Sequence, residues 1–174
     1  SSLIEKVSQP LTGWLGHIKP FDFEVEYKPA NDINKFICGT PPIIAYKAIE
    51  SGLELFKDLS IIEIREKSIK LSEMFIQLMQ QECTEFGFTL FSPKNSEQRG
   101  SQISFLHENA YPIIQALISH GIIGDYREPT IMRFGISPLY MRFEDVWNAI
   151  TCLREIMQTG EWQSEKFKNK NYVT

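Results

Sequence analysis

Hydrophobic positions along this chain follow two periods, and the change between them marks out its elements. Residues 1–37 show no helical period. Within them, Pro20 and Pro29 bracket FDFEVEYK, where Phe21, Phe23, Val25 and Tyr27 alternate with charged residues. A period of two predicts a half-exposed strand, or an extended arm laid on another surface, since such a segment cannot bury its own apolar face. From Ile43 the spacing becomes helical: Ile43, Ile44, Ala48, Ile49, Leu53 and Phe56 form a stripe ending near Lys57. Thr40 is placed to cap that helix, with Pro41 and Pro42 in a first turn where a missing N–H costs nothing.

A longer helix opens at Ser60-Ile61-Ile62-Glu63, which matches a capping box. Ile64, Leu71, Phe75 and Leu78 lie on one face of it, Gly87 is a plausible stop, and its length suggests a spine joining two domains. Residues 88–91 and 101–107 then read as strands. Asn109 is placed to cap a helix that buries Ile113, Ile114, Leu117 and Ile118 and ends at Gly121. Residues 122–124 and 131–134 supply two more short strands. A last helix runs from about 144 to 157, with Val146, Ile150, Leu153 and Met157 inward, and stops at Gly160. Strand, strand, helix, strand, strand, helix predicts an α+β layer with helices on one face of a small sheet.

Composition narrows the classes. A net charge of −4 and the absence of a basic stripe with interleaved aromatics give no support for a nucleic-acid partner. Lys166, Lys168 and Lys170 read as a frayed, solvated tail. Cys38, Cys83 and Cys152 are odd in number and widely spaced, which suggests reduced thiols in a cytosolic protein, not a disulfide framework or zinc site. Nothing resembles a signal peptide or a membrane span. The chain opens Ser-Ser-Leu-Ile without an initiator Met, as a piece of a longer protein would.

The chemistry-bearing residues are few. Arg133 sits among Ile131, Met132 and Phe134, in what reads as a buried strand; a guanidinium there must find an anion. Its paired donors match the oxygens of a carboxylate or phosphate ligand, and equally those of a structural partner such as Asp125 or Glu128. Thr40 at a helix start either caps the helix or holds a phosphate. Trp14 stands between Gly13 and Gly16 in TGWLGH, loop chemistry that exposes or tightly turns an aromatic. His17, His107 and His120 lie far apart in sequence; His107 reads as a surface residue and His120 as a partner of a helix C-terminus. There is no G-x-S-x-G elbow, P-loop or H-E-x-x-H. These residues suit anion recognition and do not make an active site alone.

Three motifs taken together, TGWLGH (12–17), CGTPPIIAYKAIESGLELF (38–56) and GDYREPTIMRFGISPLYMRFEDVWNAI (124–150), resemble kynureninase, a pyridoxal-phosphate (PLP) enzyme of the aspartate-aminotransferase fold type. The resemblance runs in order over nearly the whole chain and implies the carboxy-terminal part of a fold-type-I, class V-like enzyme. Residues 1–56 would be the end of the PLP-binding large domain with an interface arm, 57–87 the linking helix, and 88–174 the small α+β domain. It implies that Trp14 donates its indole N–H to the cofactor phosphate and that Thr40 also reaches it, both across a homodimer interface. It implies that Arg133 grips the α-carboxylate of the substrate. Gly39-Thr40 is similar to the bacterial type, which favours L-kynurenine, where animal enzymes carry Ser-Asn and favour the 3-hydroxy substrate. Leu15 departs from the aromatic or methionine expected after the tryptophan.

The reaction so implied is hydrolysis of the Cβ–Cγ bond of L-kynurenine to anthranilate and L-alanine, in tryptophan catabolism toward NAD, in the cytoplasm. PLP serves there as an electron sink. The Schiff-base lysine is expected upstream on a serine-aromatic strand, a context that no lysine here has, so no catalytic residue is assigned within the chain and the fragment alone is expected to be inactive. Two alternatives stand beside this. One is a related PLP enzyme, a class V aminotransferase or a desulfurase; the other is a non-enzymatic α+β dimerisation or binding module.

Overall fold

Two units share the residues, 2–169, that the computed structural model describes: Ser1–Asp58 and Leu59–Thr174. The first is mostly loop, as its lack of helical period requires. It contains α1 (Ser2–Lys6), 3-10 turns at Trp14–Gly16 and Ile33–Phe36, and α2 (Ile43–Glu54). The alternating FDFEVEYK segment forms no strand. Phe23 takes φ 50°, outside the extended region, so the two-residue alternation is broken there. Pairing is confined to one antiparallel bridge between His17 and Pro29, and Phe21, Phe23 and Val25 stand exposed.

Thr40 does not cap α2. The cap position is Pro42, in extended backbone and without a side-chain hydrogen bond. Successive prolines delay the helix, because a residue before proline is pushed away from helical angles. The first turn closes only from Tyr46 N–H to the Pro42 carbonyl, at 3.1 Å. The apolar stripe is present on α2, yet none of its residues is buried.

The second unit holds the core. Ser60 Oγ accepts from Ile62 N–H at 3.3 Å and starts α3 (Ile61–Glu82). Ile61 and Ile62 are exposed; further along, Leu71, Phe75, Ile76, Leu78 and Met79 are buried. The helix gives way to a 3-10 turn at Thr84–Phe86, and Gly87, at φ 80°, makes the expected left-handed stop one turn later than the helix proper. β1 (Thr89–Leu90), β2 (Gln102–Leu106), α4 (Ala110–Ser119), β3 (Asp125–Arg127), β4 (Ile131–Gly135) and α5 (Phe143–Thr159) follow in the predicted order.

The four strands form an antiparallel sheet ordered β1-β2-β4-β3. Pairing of Ile103 with Phe134 and of Phe105 with Met132 sends all four side chains to one face, where Phe75 packs 5.0 Å from Phe134 and 6.1 Å from Phe105, ring to ring. Ile113, Ile114 and Leu117 of α4 and Val146, Ile150, Leu153 and Ile156 of α5 complete this core.

Several expectations shift. The strand expected at 122–124 forms at Asp125–Arg127 instead. Gly124 packs so tightly that a Cβ there would lie 2.6 Å from Ile114 Cδ1, and pairing begins only past that approach. Asn109 makes no side-chain cap; its N–H instead donates to His107 Nδ1 at 2.9 Å. With Nδ1 accepting, Nε2 carries the proton and donates to the Phe86 carbonyl at 3.0 Å. His107 is thus a half-buried brace between two loops, and burial holds its pKa below the usual histidine value. At the C-terminus, Lys166 and Lys168 are not on a frayed tail. They belong to α6 (Glu165–Lys168), anchored by Phe167, which is buried against the core. Lys170 lies outside the described residues.

The polar stretch at 92–99 conceals a buried cation. The Arg99 side chain is almost wholly enclosed, donates to the Pro93 and Lys94 carbonyls at 3.0 and 2.5 Å, and pairs with Glu73 of α3. That satisfies most of a charge that would otherwise be costly to bury. It also ties the loop to α3.

Two predictions follow from this core. Leu71 is fully enclosed, so Leu71→Ala is expected to cost roughly 2–5 kcal/mol in a denaturant titration. Cys83 is also enclosed, and burial raises its thiol to about 11. At pH 8, iodoacetamide should label the exposed Cys38 and spare Cys83 until the fold is opened. Because the folded state keeps this thiol protonated, the stability it contributes is complete below the ordinary thiol value of 9.0 and is lost as pH rises toward about 11.

Candidate functional site

The residues singled out above fall in both units. In the first, Trp14 lies on the 3-10 turn between two glycines, and both glycines are required by close approach. A Cβ on Gly13 would stand 2.5 Å from the carbonyl carbon and oxygen of Cys38. One on Gly16 would meet Tyr27 Oη at 2.9 Å and the Ile37 and Lys35 carbonyls at 3.0 and 3.1 Å. The TGWLGH turn is therefore seated against residues 35–38, immediately before Gly39 and Thr40. Backbone bonds from Ile18 N–H to the Lys28 carbonyl (2.8 Å) and from Ala30 N–H to the Gly16 carbonyl (2.9 Å) close the base of the loop. His17 is buried there. Its Nδ1 accepts from Lys19 N–H at 2.9 Å, so its Nε2 is the donor facing the Glu26 carbonyl at 3.3 Å.

Trp14 itself is half exposed, packed edge-on against Phe21 at 5.3 Å and stacked with Phe23 at 6.0 Å. Its indole N–H donates to the Pro20 carbonyl. A phosphate contact through this N–H would exchange that partner. Thr40 is exposed, and relieved of capping duty its hydroxyl is available to a ligand. Gly39 is exposed, with open space where a Cβ would stand. The donors that this unit offers are thus an indole N–H and a hydroxyl, both neutral. They suit the hydrogen-bonding needs of a phosphate such as that of PLP, and Lys19 lines the same cleft as Trp14.

In the second unit, Arg133 lies on β4 but on the open face of the sheet, not in the core. The strand is buried on one side only, through Met132 and Phe134. Ser104, Arg133 and Asp125 stand directly opposite one another on β2, β4 and β3, forming a polar row across that face, buried at Ser104 and partly exposed at Arg133 and Asp125. Arg133 donates from Nη2 to Asp125 Oδ2. Arg127 approaches the same oxygen at 3.5 Å. The ion pair anticipated from the sequence as the structural alternative is therefore present, with Asp125 as the partner. It leaves the fork partly unspent: Arg133 Nε is buried with no partner, and Nη1 has none among the described residues. With Nη2 anchored and Nε buried, Nη1 and the second hydrogen of Nη2 remain as the pair of donors that can meet a second carboxylate in the guanidinium plane. Sequence reasoning missed Arg127 and Ser104. The Asp-x-Arg spacing of 125 and 127, two residues apart and hence on one face of a strand, was the available signal for the first.

Among the described residues no cluster of His, Cys, Asp or Glu is arranged to hold a metal, and no helix is long and apolar enough to cross a membrane.

Residues 64–153 match the family model of the kynureninase C-terminal domain. The chain is 44% identical over 172 residues to the kynureninase of Pseudomonas fluorescens, covering 99% of this chain and 41% of that protein. It is 44% identical over 166 residues to the kynureninase of Burkholderia mallei (strain SAVP1), covering 95% and 40%. The chain thus spans about two fifths of the length of these relatives. Among solved structures, it is similar to the apo cysteine desulfurase of Thermococcus onnurineus NA1, with TM-score 0.68 and 18% identity over 86% of this chain and 39% of that one. A C-DES mutant with glycine covalently linked to its PLP cofactor gives TM-score 0.68 and 15% identity over 89% and 40%. These two likenesses carry the fold, which is that of the C-terminal portion of fold-type-I PLP enzymes. Sequence decides between the branches: the chain belongs to the kynureninase C-terminal domain family.

Proposed function

We propose that this chain is the carboxy-terminal part of a PLP-dependent kynureninase, hydrolysing the Cβ–Cγ bond of L-kynurenine to anthranilate and L-alanine. The observation that carries the reading is the half-spent guanidinium of Arg133 in a chain 44% identical to a kynureninase along 99% of its length. In this reading the free donors of Arg133 bind the α-carboxylate of the substrate and fix its orientation. Trp14 and Thr40 hold the cofactor phosphate, and Gly39 borders the substrate. When bound, PLP supplies an electron sink for the carbanionic character that develops on the substrate. The chain's own residues bind and orient; the Schiff-base lysine belongs to the rest of the protein. Gly39-Thr40 supports a preference for L-kynurenine over its 3-hydroxy form.

The domain division is proposed as residues 1–56 from the large domain with its interface arm, 57–87 as linking helix, and 88–174 as small domain. The active protein is proposed to be a cytoplasmic homodimer in tryptophan catabolism toward NAD, with Trp14 and Thr40 serving the neighbouring subunit's cofactor. Free Cys38, Cys83 and Cys152 are in keeping with a reducing compartment.

Anthranilate fluorescence tests the reaction. The full-length protein with PLP and L-kynurenine should release anthranilate, the 174-residue chain alone should release none, and Arg133→Ala in the full-length protein should lose roughly 2–5 kcal/mol of substrate binding. A folded, PLP-loaded parent that makes no anthranilate would sink the reading. For the cofactor end, a Cβ at residue 13 collides with the Cys38 backbone. Gly13→Ala should therefore part the Trp14 turn from the segment leading to Thr40 and speed PLP loss during dialysis, followed by cofactor absorbance.

A further inference from the structure

We infer that Asp125 is a positioning residue for substrate recognition: it anchors one end of the Arg133 guanidinium so that the remaining donors face the substrate carboxylate. This inference rests on the role proposed above for Arg133.

The argument begins with the sheet. β3 and β4 are antiparallel, and Asp125 and Arg133 are Cα partners in that ladder. Partners directly opposite project to the same face at the closest side-chain spacing a sheet offers. The aspartate meets the guanidinium at one terminal nitrogen, Nη2. Arginine has many rotamers to lose when it is fixed, and its plane must be set before two oxygens can be held at once. One bond at Nη2, with Nε already buried, sets that plane in advance.

The competing view is that Asp125 occupies the fork and must be displaced by substrate. Three features disfavour it. Asp125 contacts Arg133 through a single oxygen, Oδ2, and does not span the fork. That same oxygen is shared with Arg127 at 3.5 Å, so within the trio two cations surround one anion and positive charge remains in excess. Nε, which shares an edge of the guanidinium with Nη2, is left without a partner, so Asp125 does not hold that edge at both nitrogens.

The two views predict opposite signs. If Asp125 positions the fork, Asp125→Ala frees the side chain, and carboxylate binding weakens on the order of 10- to 100-fold. If Asp125 competes, the same change tightens binding. Asp125→Asn keeps an acceptor oxygen in place, and should recover part of the loss because positioning needs the hydrogen bond as well as the charge.

The experiment uses the full-length protein loaded with PLP. Isothermal titration calorimetry with L-alanine, an α-carboxylate probe, is run on the parent, Asp125→Ala, Asp125→Asn and Arg133→Ala, beside steady-state KM and kcat for L-kynurenine. Expected is a raised L-alanine Kd and a raised KM in Asp125→Ala, a smaller change in kcat, and partial recovery in Asp125→Asn. Melting temperatures and PLP absorbance separate positioning from collapse of the fold, and Asp125→Asn carries the test if Asp125→Ala does not fold. An unchanged or lower Kd in a folded Asp125 variant, with Arg133→Ala impaired, overturns the inference and leaves Arg133 as the carboxylate site. An unimpaired Arg133→Ala overturns the reading of the site itself, and this inference with it.

Discussion

A four-stranded sheet with helices on one face has to sort its side chains, and the packing of Phe75 against Phe105 and Phe134 is where that sorting is enforced. Once α3 places an aromatic ring between two strands, alternate residues of β2 and β4 must be apolar and inward. The residues between them must then face the other way. Ser104 and Arg133 lie on the open face because Ile103, Phe105, Met132 and Phe134 are needed beneath it. The polar face is thus a by-product of the core: burying one set of side chains, at about 2 kcal/mol each, rigidly presents the other. An arginine on such a strand inherits its placement from the residues packed on the other face.

The first unit works by another principle. It has little enclosed apolar volume, and its shape rests on backbone closeness: glycines at 13 and 16 that admit the neighbouring chain, and a buried histidine that knits a loop through its two ring nitrogens. Its candidate donors, Trp14 and Thr40, are neutral, and Lys19 lines the same cleft as Trp14.

Legibility in the sequence followed the range of the interactions. The second unit could be read almost element by element, because a face buried against a core imposes its period on every strand and helix that joins it. Val146, Ile150 and Leu153 announce themselves in this way. Where an outcome depends on a neighbour distant in sequence, the pattern is silent. Phe23 spoils an otherwise strand-like alternation with a single positive φ, and Arg99 looks like loop polarity until Glu73 is brought beside it. Thr40 has the composition of a cap but two prolines after it postpone the helix. In the site, the need of Arg133 for an anion was apparent from its apolar neighbours, and Asp125 was one of two partners in view. What strand order alone could tell is that the aspartate stands opposite the arginine in the ladder.

That placement reaches beyond recognition. β3 has three residues, too few for apolar patterning to hold it against sliding, and only Tyr126 of the three points inward with the core set. A shift by one residue would turn Asp125 and Arg127 into the hydrophobic layer and set Tyr126 against Arg133. Each of those errors strands a charge. The ion pair therefore acts as a proofreading mark for assembly of the sheet, tying its edge alignment to the attraction between Asp125 and Arg133.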